Sequence, residues 1–192
     1  MEILLSICLG IGLSAACGFR VFVPLLAMSI ASLSGHLTLA HGFEWIGTYP
    51  AFMAFATAAI LEVAAYYIPW FDNLMDSIAA PAAFLAGAIV TASSIIQMSP
   101  LMKWTLAIIA GGGTAAIFHG ATALVRGAST AVTGGLGNHA IATTELGVAS
   151  GLSLLAIALP LFSSIVVLVL LVLLIRKGFQ KRSKQRRAEA TS

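Results

Sequence analysis

Five long apolar segments constrain the fold of this chain more than any other feature. They are residues 3–33, 50–68, 80–98, 102–125 and 143–175. About 20 apolar residues span the hydrocarbon core of a bilayer as a helix, and a helix satisfies its own backbone hydrogen bonds in lipid. The sequence therefore predicts an all-α, polytopic transmembrane bundle of about five spans. With 59% hydrophobic and 9% charged residues, the composition excludes an ordinary soluble domain.

The first and last segments are too long for one straight span. Residues 3–33 would form a helix of about 46 Å, against a hydrocarbon core of about 30 Å. Proline removes a backbone donor and clashes with the preceding turn. We therefore predict broken first and last helices, near Gly18 and Pro24 in the first and at Pro160 in the last.

A weak internal similarity indicates a two-fold design. An offset of one hundred residues aligns Gly12 to Ala16 with Gly112 to Ala116. The same offset places the second apolar segment over the start of the fifth. Spans one and two would then repeat as spans four and five, in the inverted arrangement that many transporters have.

The basic residues are concentrated after the last apolar segment. Seven of the ten lie there: Arg176, Lys177, Lys181, Arg182, Lys184, Arg186 and Arg187. Such a flank is typical of the cytoplasmic side. We predict a transmembrane domain over 1–175 and a disordered cytoplasmic tail over 176–192. The expected partner of this tail is membrane lipid, and not nucleic acid.

Five crossings then place the N-terminus outside. The loop Ser34–Tyr49 and Lys103 would face the cytoplasm. Two outer loops would be formed by residues 69–76 and by the Gly-rich run Gly127–Thr144.

Cys8 and Cys17 both lie in the first segment, where we expect packing instead of disulfide or metal chemistry.

The run Ser14 to Cys17 resembles a lipoprotein cleavage site. No Lys or Arg precedes it, however, and the apolar character continues beyond the cysteine, so we expect the segment to stay in the mature protein.

Small residues recur at four-residue spacing and predict close helix packing. They are Gly10, Ser14 and Gly18 in the first segment, Gly112, Ala116 and Gly120 in the fourth, and Gly147 and Gly151 in the fifth.

Arg20 lies inside the first apolar segment, where an ionised group costs about 2.5–3.5 kcal/mol on insertion scales. It must face a partner, the bundle interior or water. Glu62 in the second segment has the same need, which Arg20, protonation or water would satisfy. One hypothesis is a polar pathway, and the other is an Arg20–Glu62 pair that locks the first two spans.

Asp72 and Asp76 are four residues apart, so one helical turn would place both on one face. Two neighbouring carboxylates can hold a cation or exchange a proton. The alternative is an interfacial turn with solvated acids.

His119 and Arg126 are seven residues apart and share a face of the fourth span. The Gly-rich run with Asn138 is flexible enough for unwound backbone to approach a ligand. Glu145 begins the fifth span, where an acid also favours the helix dipole.

These residues carry a resemblance to a bacterial membrane family, domain of unknown function 4126. The runs Gly18–Leu26 and Ile68–Asp76, with Glu62, Pro81 and Gly87, resemble the first half of that family. His119, Arg126, Asn138 and Glu145 fall where its second half has a similar pattern. The resemblance implies a multi-pass protein of a bacterial inner membrane and no particular activity.

The chain departs from the family pattern at three places. Tyr66 stands where an acid is common, no basic residue occurs within Gly120–Val125, and Leu146 follows Glu145 where the family has an acid pair. The resemblance therefore implies a thinner charge network here.

We interpret the protein as a small transporter or channel-like protein for a small ion or solute, as a homodimer where a large pathway must be enclosed. Its pathway would be lined by Arg20, Glu62, His119 and Arg126, and its outer vestibule by Asp72, Asp76, Asn138 and Glu145. The alternative is a structural or lipid-interacting protein with a fixed charge lock.

The sequence has no nucleophile and base pattern, zinc spacing or dinucleotide fingerprint. We therefore expect no cofactor, no metal and no enzyme, although an intramembrane enzyme acting on a lipid or quinone is a third class.

Overall fold

A computed structural model describes the backbone of residues 1–68 and 71–189 and the side chains of residues 1–68 and 78–176. The described residues are helical, with no strand among them, as the sequence predicts. The helices are α1 Glu2–Phe19, α2 Phe22–Leu33, α3 Tyr49–Ala65, α4 Phe71–Ser94, α5 Pro100–Leu106, α6 Gly113–Thr133, α7 Asn138–Ala158 and α8 Pro160–Glu189. A 3-10 turn covers Glu44–Gly47, and a π-helical segment, Ala107–Gly112, joins α5 to α6.

Three helical stretches are long and apolar enough to cross a membrane: α1, the continuous helix Pro100–Thr133 and α7. Large apolar side chains such as Ile109 and Leu124 are exposed, as expected for contact with lipid tails. Charged side chains such as Arg20, Arg126 and Glu145 are buried inside the bundle. This distribution is that of a membrane protein.

The first apolar segment forms a helical hairpin. Helix α1 ends at Phe19, and Arg20 is extended with φ −144° and ψ 126°. The predicted break is confirmed, and Pro24 lies in the first turn of α2, where proline is tolerated. Helix α1 runs antiparallel to α4, with the Thr91 hydroxyl donating to the Gly10 carbonyl over 3.2 Å. Helix α2 runs parallel to α4, so the chain reverses at Arg20.

Helices α7 and α8 form a second hairpin, with its break at Leu159 before Pro160. Ala156 and Ser163 meet at the level of Gly12, and the α8 residue Leu174 shares a cavity with the α7 residue Thr144. Helix α8 therefore returns toward the end where α7 begins. The two hairpins enter the bundle from opposite ends.

The hairpins change the predicted arrangement of the loops. Glu2, His36 and Gln97 surround one pocket, which defines the N-terminal end of the bundle. Lys103 lies at the same end, 5.5 Å from the Phe43 ring centroid. The prediction that the loop Ser34–Tyr49 faces away from the N-terminus is therefore wrong, because the first segment doubles back.

The prediction that the Gly-rich run Gly127–Thr144 forms a loop at the end opposite the basic tail is also wrong. Helix α6 continues to Thr133 and α7 begins at Asn138, so only a short turn separates them. Gly134 and Gly135 make the turn with φ of 64° and 93°, a backbone region that favours glycine. Since α8 returns to the end that holds this turn, the turn and the basic segment lie at the same end of the bundle.

The basic segment continues α8 to Glu189. The predicted boundary between residues 175 and 176 falls inside this helix, where the sequence predicts disorder. The cytoplasmic position of the tail stays a prediction.

Helix α1 is the centre of the bundle and packs against α4, α6, α7 and α8. Its small residues permit this, as the four-residue spacing predicts: the Ser14 hydroxyl donates to the Gly111 carbonyl, and Gly18 lies against the backbone of Ala115. The same prediction is wrong at Gly120, Gly147 and Gly151, where an added Cβ would meet no atom of the described residues within 4 Å. Cys8 and Cys17 are both free and buried, which agrees with a packing role.

Replacement of Gly18 by alanine is expected to lower the free energy of unfolding by about 1–3 kcal/mol through overpacking. The added Cβ would lie 2.7 Å from the Ala115 carbonyl oxygen. Gly120→Ala is the matched control, because its added Cβ meets open space among the described residues. Unfolding of both purified variants in detergent measures the difference, and equal stability would contradict the packing argument.

Candidate functional site

A group of buried charges lies where the apex of the α1–α2 hairpin meets α3, α6 and α7. It consists of Arg20, Glu62, Tyr66, Arg126 and Glu145, which we call the charged centre. Both arginines are 1% exposed, Glu145 is 4% exposed and Glu62 is 9% exposed. Charges buried to this degree require close partners.

Glu145 joins the two arginines. The Arg126 Nε donates to Glu145 Oε1 over 3.0 Å, and Arg126 Nη2 lies 3.0 Å from Oε2. Arg20 Nη2 lies 3.6 Å from the same Oε2. One carboxylate of α7 thus connects the hairpin apex to α6.

Tyr66 lies against both guanidinium groups. Its ring centroid is 4.0 Å from Cζ of Arg20 and 4.3 Å from Cζ of Arg126. Such stacking is attractive, and more so in a desolvated site. Tyr66 therefore presents an aromatic face, and no carboxylate, to the two arginines.

Arg20 is only partly paired by the described residues. Its Nη2 donates to the Ala142 carbonyl over 2.9 Å. Its Nε and Nη1 are buried and have no hydrogen-bond partner among the residues that the structure describes. Buried donors without partners are costly, so the three N–H groups on these two nitrogens of Arg20 are open to a further acceptor.

Glu62 binds the backbone at the hairpin apex. Its Oε1 accepts from the Val21 N–H over 2.7 Å, and its Oε2 accepts from the Phe22 N–H over 3.1 Å. These groups begin α2, and a helix N-terminus favours a negative charge. The direct Arg20–Glu62 pair that the sequence suggested is replaced by this contact, because the helix break exposes backbone donors and turns Arg20 toward α7.

The remaining predicted site residues have different positions. His119 is buried on α6, and its Nε2 has no hydrogen-bond partner among the described residues. Asn138 donates from Nδ2 to the Thr130 hydroxyl over 2.9 Å and so closes the turn between α6 and α7. Its backbone is helical, and the unwound part of the Gly-rich run is the turn Gly134–Gly137. Asp72 and Asp76 fall in the first turns of α4, and their side chains lie outside the described residues.

Sequence reasoning missed Tyr66 and the Ala142 carbonyl. The tyrosine was signalled by its place one helical turn after Glu62. The carbonyl belongs to an ordinary alanine, and no sequence signal marks it.

Two clefts flank the charged centre. A cleft of about 520 Å³ between α2, α3 and α4 has mainly apolar walls, and Glu62 and Tyr66 are among its lining residues. We call this the Glu62 cleft. A second cleft of about 450 Å³ between α6, α7 and α8 is lined by Glu145 and Thr122. Within the described residues, Arg20 lines neither of these two clefts.

A separate ion pair lies in the loop at the N-terminal end. His41 Nδ1 is 3.0 Å from Glu44 Oε1, and both side chains are exposed. The hydrogen bond from His41 holds the pKa of the Glu44 carboxyl below its usual value. This pair lies on the surface, so removal of its carboxylate is a control for removal of a buried carboxylate in measurements of unfolding.

Fold and site together define a helical membrane protein with a charged centre at the apex of a helical hairpin. Residues 7–178 match the model of the family named domain of unknown function (DUF4126), and the chain belongs to that family. This confirms the resemblance predicted from the two halves of the sequence. No curated protein and no solved structure matches the chain.

Proposed function

We propose that the protein is a small transporter or channel-like protein that moves a small ion or solute through the charged centre. The observation that carries this proposal is the state of Arg20. It lies at a helix break, is 1% exposed and has two nitrogens, Nε and Nη1, without hydrogen-bond partners among the described residues. Transporters bind solutes at breaks of this kind, where helix ends and unwound backbone point at a ligand.

The opposite directions of the α1–α2 and α7–α8 hairpins support an inverted design. The offset of one hundred residues lays α1–α2 over residues 102–133, which belong to one continuous helix. Because this offset pairs a broken hairpin with an unbroken helix, it does not relate two similar halves. We propose instead that the α1–α2 hairpin and the α7–α8 hairpin are the inverted counterparts. Termini at opposite ends need an odd number of crossings.

We propose that the protein lies in a bacterial inner membrane with its basic tail in the cytoplasm. The turn Gly134–Gly137 would then be cytoplasmic, and the N-terminus and the loop after α2 would be outside. Membrane lipid would contact the exposed apolar faces, and a homodimer would enclose a larger pathway than one chain of 192 residues.

A structural role is the second candidate, and the pairing of Glu145 supports it. Its carboxylate contacts both arginines, and neither flanking cleft is lined by Arg20. In this reading the charged centre is a lock that holds α1, α6 and α7 together.

Flux into proteoliposomes tests the proposal. The probes are chloride, nitrate, phosphate and hippurate, which differ in size and apolar character. We expect at least one of them to enter wild-type vesicles at a rate about tenfold or more above protein-free vesicles. The double variant Arg20→Met with Glu145→Leu replaces charges by apolar groups of similar size and is expected to lose this flux.

Gly120→Ala serves as a folded control that should transport normally. Flux that survives the double change would refute the pathway, as would folded wild-type protein that moves none of the probes.

A further inference from the structure

The Glu62 carboxylate and the cleft that leads to it identify a class of ligand. The carboxylate lies at the start of α2, held by the N–H groups of Val21 and Phe22, and the same three residues line the Glu62 cleft. The cleft therefore leads directly to two backbone donors that already bind a carboxylate. Its volume of about 520 Å³ lies in the range of small-molecule sites.

The walls of this cleft are almost entirely apolar. Its lining residues are Val21, Phe22, Ala58, Leu61, Glu62, Ala64, Ala65, Tyr66, Ile68, Ile78, Ala79 and Ala82. Among the described lining residues, only Glu62 and Tyr66 carry polar side chains. A ligand that fills it needs an apolar body with one polar end.

A second observation points to the charge of that polar end. Arg20 immediately precedes Val21, and its guanidinium lies 4.0 Å from the ring centroid of Tyr66, a residue of the cleft wall. Its buried Nε and Nη1 have no hydrogen-bond partner within the described part of the chain. Arg20 does not line the cleft among the described residues, so its guanidinium favours an anion through its nearby positive charge, while the two backbone donors supply the hydrogen bonds.

We propose that the Glu62 cleft binds an amphiphilic monocarboxylate, whose head group displaces the Glu62 carboxylate from the start of α2 while its apolar body fills the cleft. Glu62 leaves as the neutral acid, so each ligand that binds is accompanied by one proton. The exchange keeps the net charge of the centre unchanged, since one bound carboxylate replaces another. The proposal rests on the proposed function, because it names the class of solute that the transporter carries.

Several charged or titratable groups surround Glu62. They are Cys17 on α1, Arg20 at the break, Tyr66 on α3, Arg126 on α6 and Glu145 on α7. The described part of α4, residues 78–94, has no titratable side chain, and its earlier turns hold Asp72 and Asp76. Glu62 is the group whose bonds the ligand replaces, so the proton is assigned to it.

Calorimetric titration with decanoate tests the proposal on the full chain in phosphatidylcholine nanodiscs. Titration in two buffers of different ionisation enthalpy counts the protons taken up on binding. We expect saturable binding with uptake of about one proton per decanoate in the wild type. Glu62→Gln should bind decanoate at least as tightly and take up no proton, because the amide leaves without one.

Two further variants separate the site from partitioning into lipid. Ala58→Phe fills the cleft and should abolish saturable binding, whereas Ala54→Phe, one turn earlier on an exposed position of α3, should bind as the wild type does. Arg20→Gln should weaken binding by about tenfold or more. Equal binding by Ala58→Phe and Ala54→Phe would overturn the proposal.

Other probes test the chemistry of the ligand. Acetate has the head group without the body, decyltrimethylammonium has the opposite charge, and decyl phosphate represents a phospholipid head. Tighter binding of any of these than of decanoate would overturn the proposal, as would decanoate binding without a proton in the wild type. Absence of decanoate binding together with flux of another probe would refute this inference alone, and binding without flux would refute transport alone.

Discussion

Replacement of Glu145 by glutamine is expected to lower the free energy of unfolding by about 3–5 kcal/mol, the range found when one partner of a buried ion pair is removed. Glu145 contacts both Arg20 and Arg126, at 3.6 Å and 3.0 Å, and all three side chains are buried. The glutamine amide has nearly the same shape but no charge. Two guanidinium groups would then face one remaining carboxylate of the described centre, Glu62.

A second variant shows whether the loss comes from charge imbalance. Glu145→Gln combined with Arg126→Met removes one charge of each sign and leaves Arg20 with Glu62 to balance it. We expect the double variant to be more stable than the single one by more than about 1 kcal/mol. Glu44→Gln removes an exposed carboxylate and should leave the free energy of unfolding close to the wild-type value. Equal losses in Glu145→Gln and in the double variant would show that the three charges do not act as a unit.

The burial of the charges was predictable from the sequence. Arg20 and Glu62 lie within apolar segments where lipid exposure is too costly, and the structure buries both. The break near Gly18 and Pro24 was also predictable, because the segment is longer than one span. These inferences depend on local composition and length, which the sequence shows directly.

The direction of the chain after each break was not predictable. Apolar periodicity is the same whether α2 continues α1 or returns beside it. The return depends on contacts between distant residues, such as the Ser93 hydroxyl with the Met28 sulphur at 3.2 Å. The sequence analysis predicts that the chain continues across the membrane after Arg20, whereas the structure turns it back. The predicted ends for the loop Ser34–Tyr49 and for Lys103 are wrong for this reason.

The partner of Arg20 was unpredictable for a related reason. Glu62 is the nearest acid in adjacent segments, and Glu145 lies 125 positions further along the chain. A helix break creates unpaired backbone N–H groups that compete with Arg20 for the nearer carboxylate. The sequence shows where such a break is favoured, but the outcome of that competition depends on how α3 and α7 pack around it.

Arg20→Lys is expected to reduce flux through the protein by about tenfold or more. Lysine keeps the charge but cannot stack on Tyr66 while it also reaches the Ala142 carbonyl and Glu145. Loss of one hydrogen bond to a charged group costs about 1.5–3 kcal/mol, which corresponds to tenfold or more in an equilibrium constant. The measurement is the initial rate of probe entry into proteoliposomes, alongside unfolding of the same preparations.

Arg126→Lys distinguishes a ligand site from a lock. Both arginines stack on Tyr66 and contact Glu145, so a purely structural centre predicts similar losses of stability for the two variants and similar changes in any flux. The pathway proposal predicts similar losses of stability and a larger loss of flux for Arg20→Lys, since Arg20 lies at the hairpin apex beside the Val21 and Phe22 donors. Equal flux in the two variants at equal stability would assign Arg20 to the lock, because a guanidinium that binds a solute must affect its passage more than one that only balances charge.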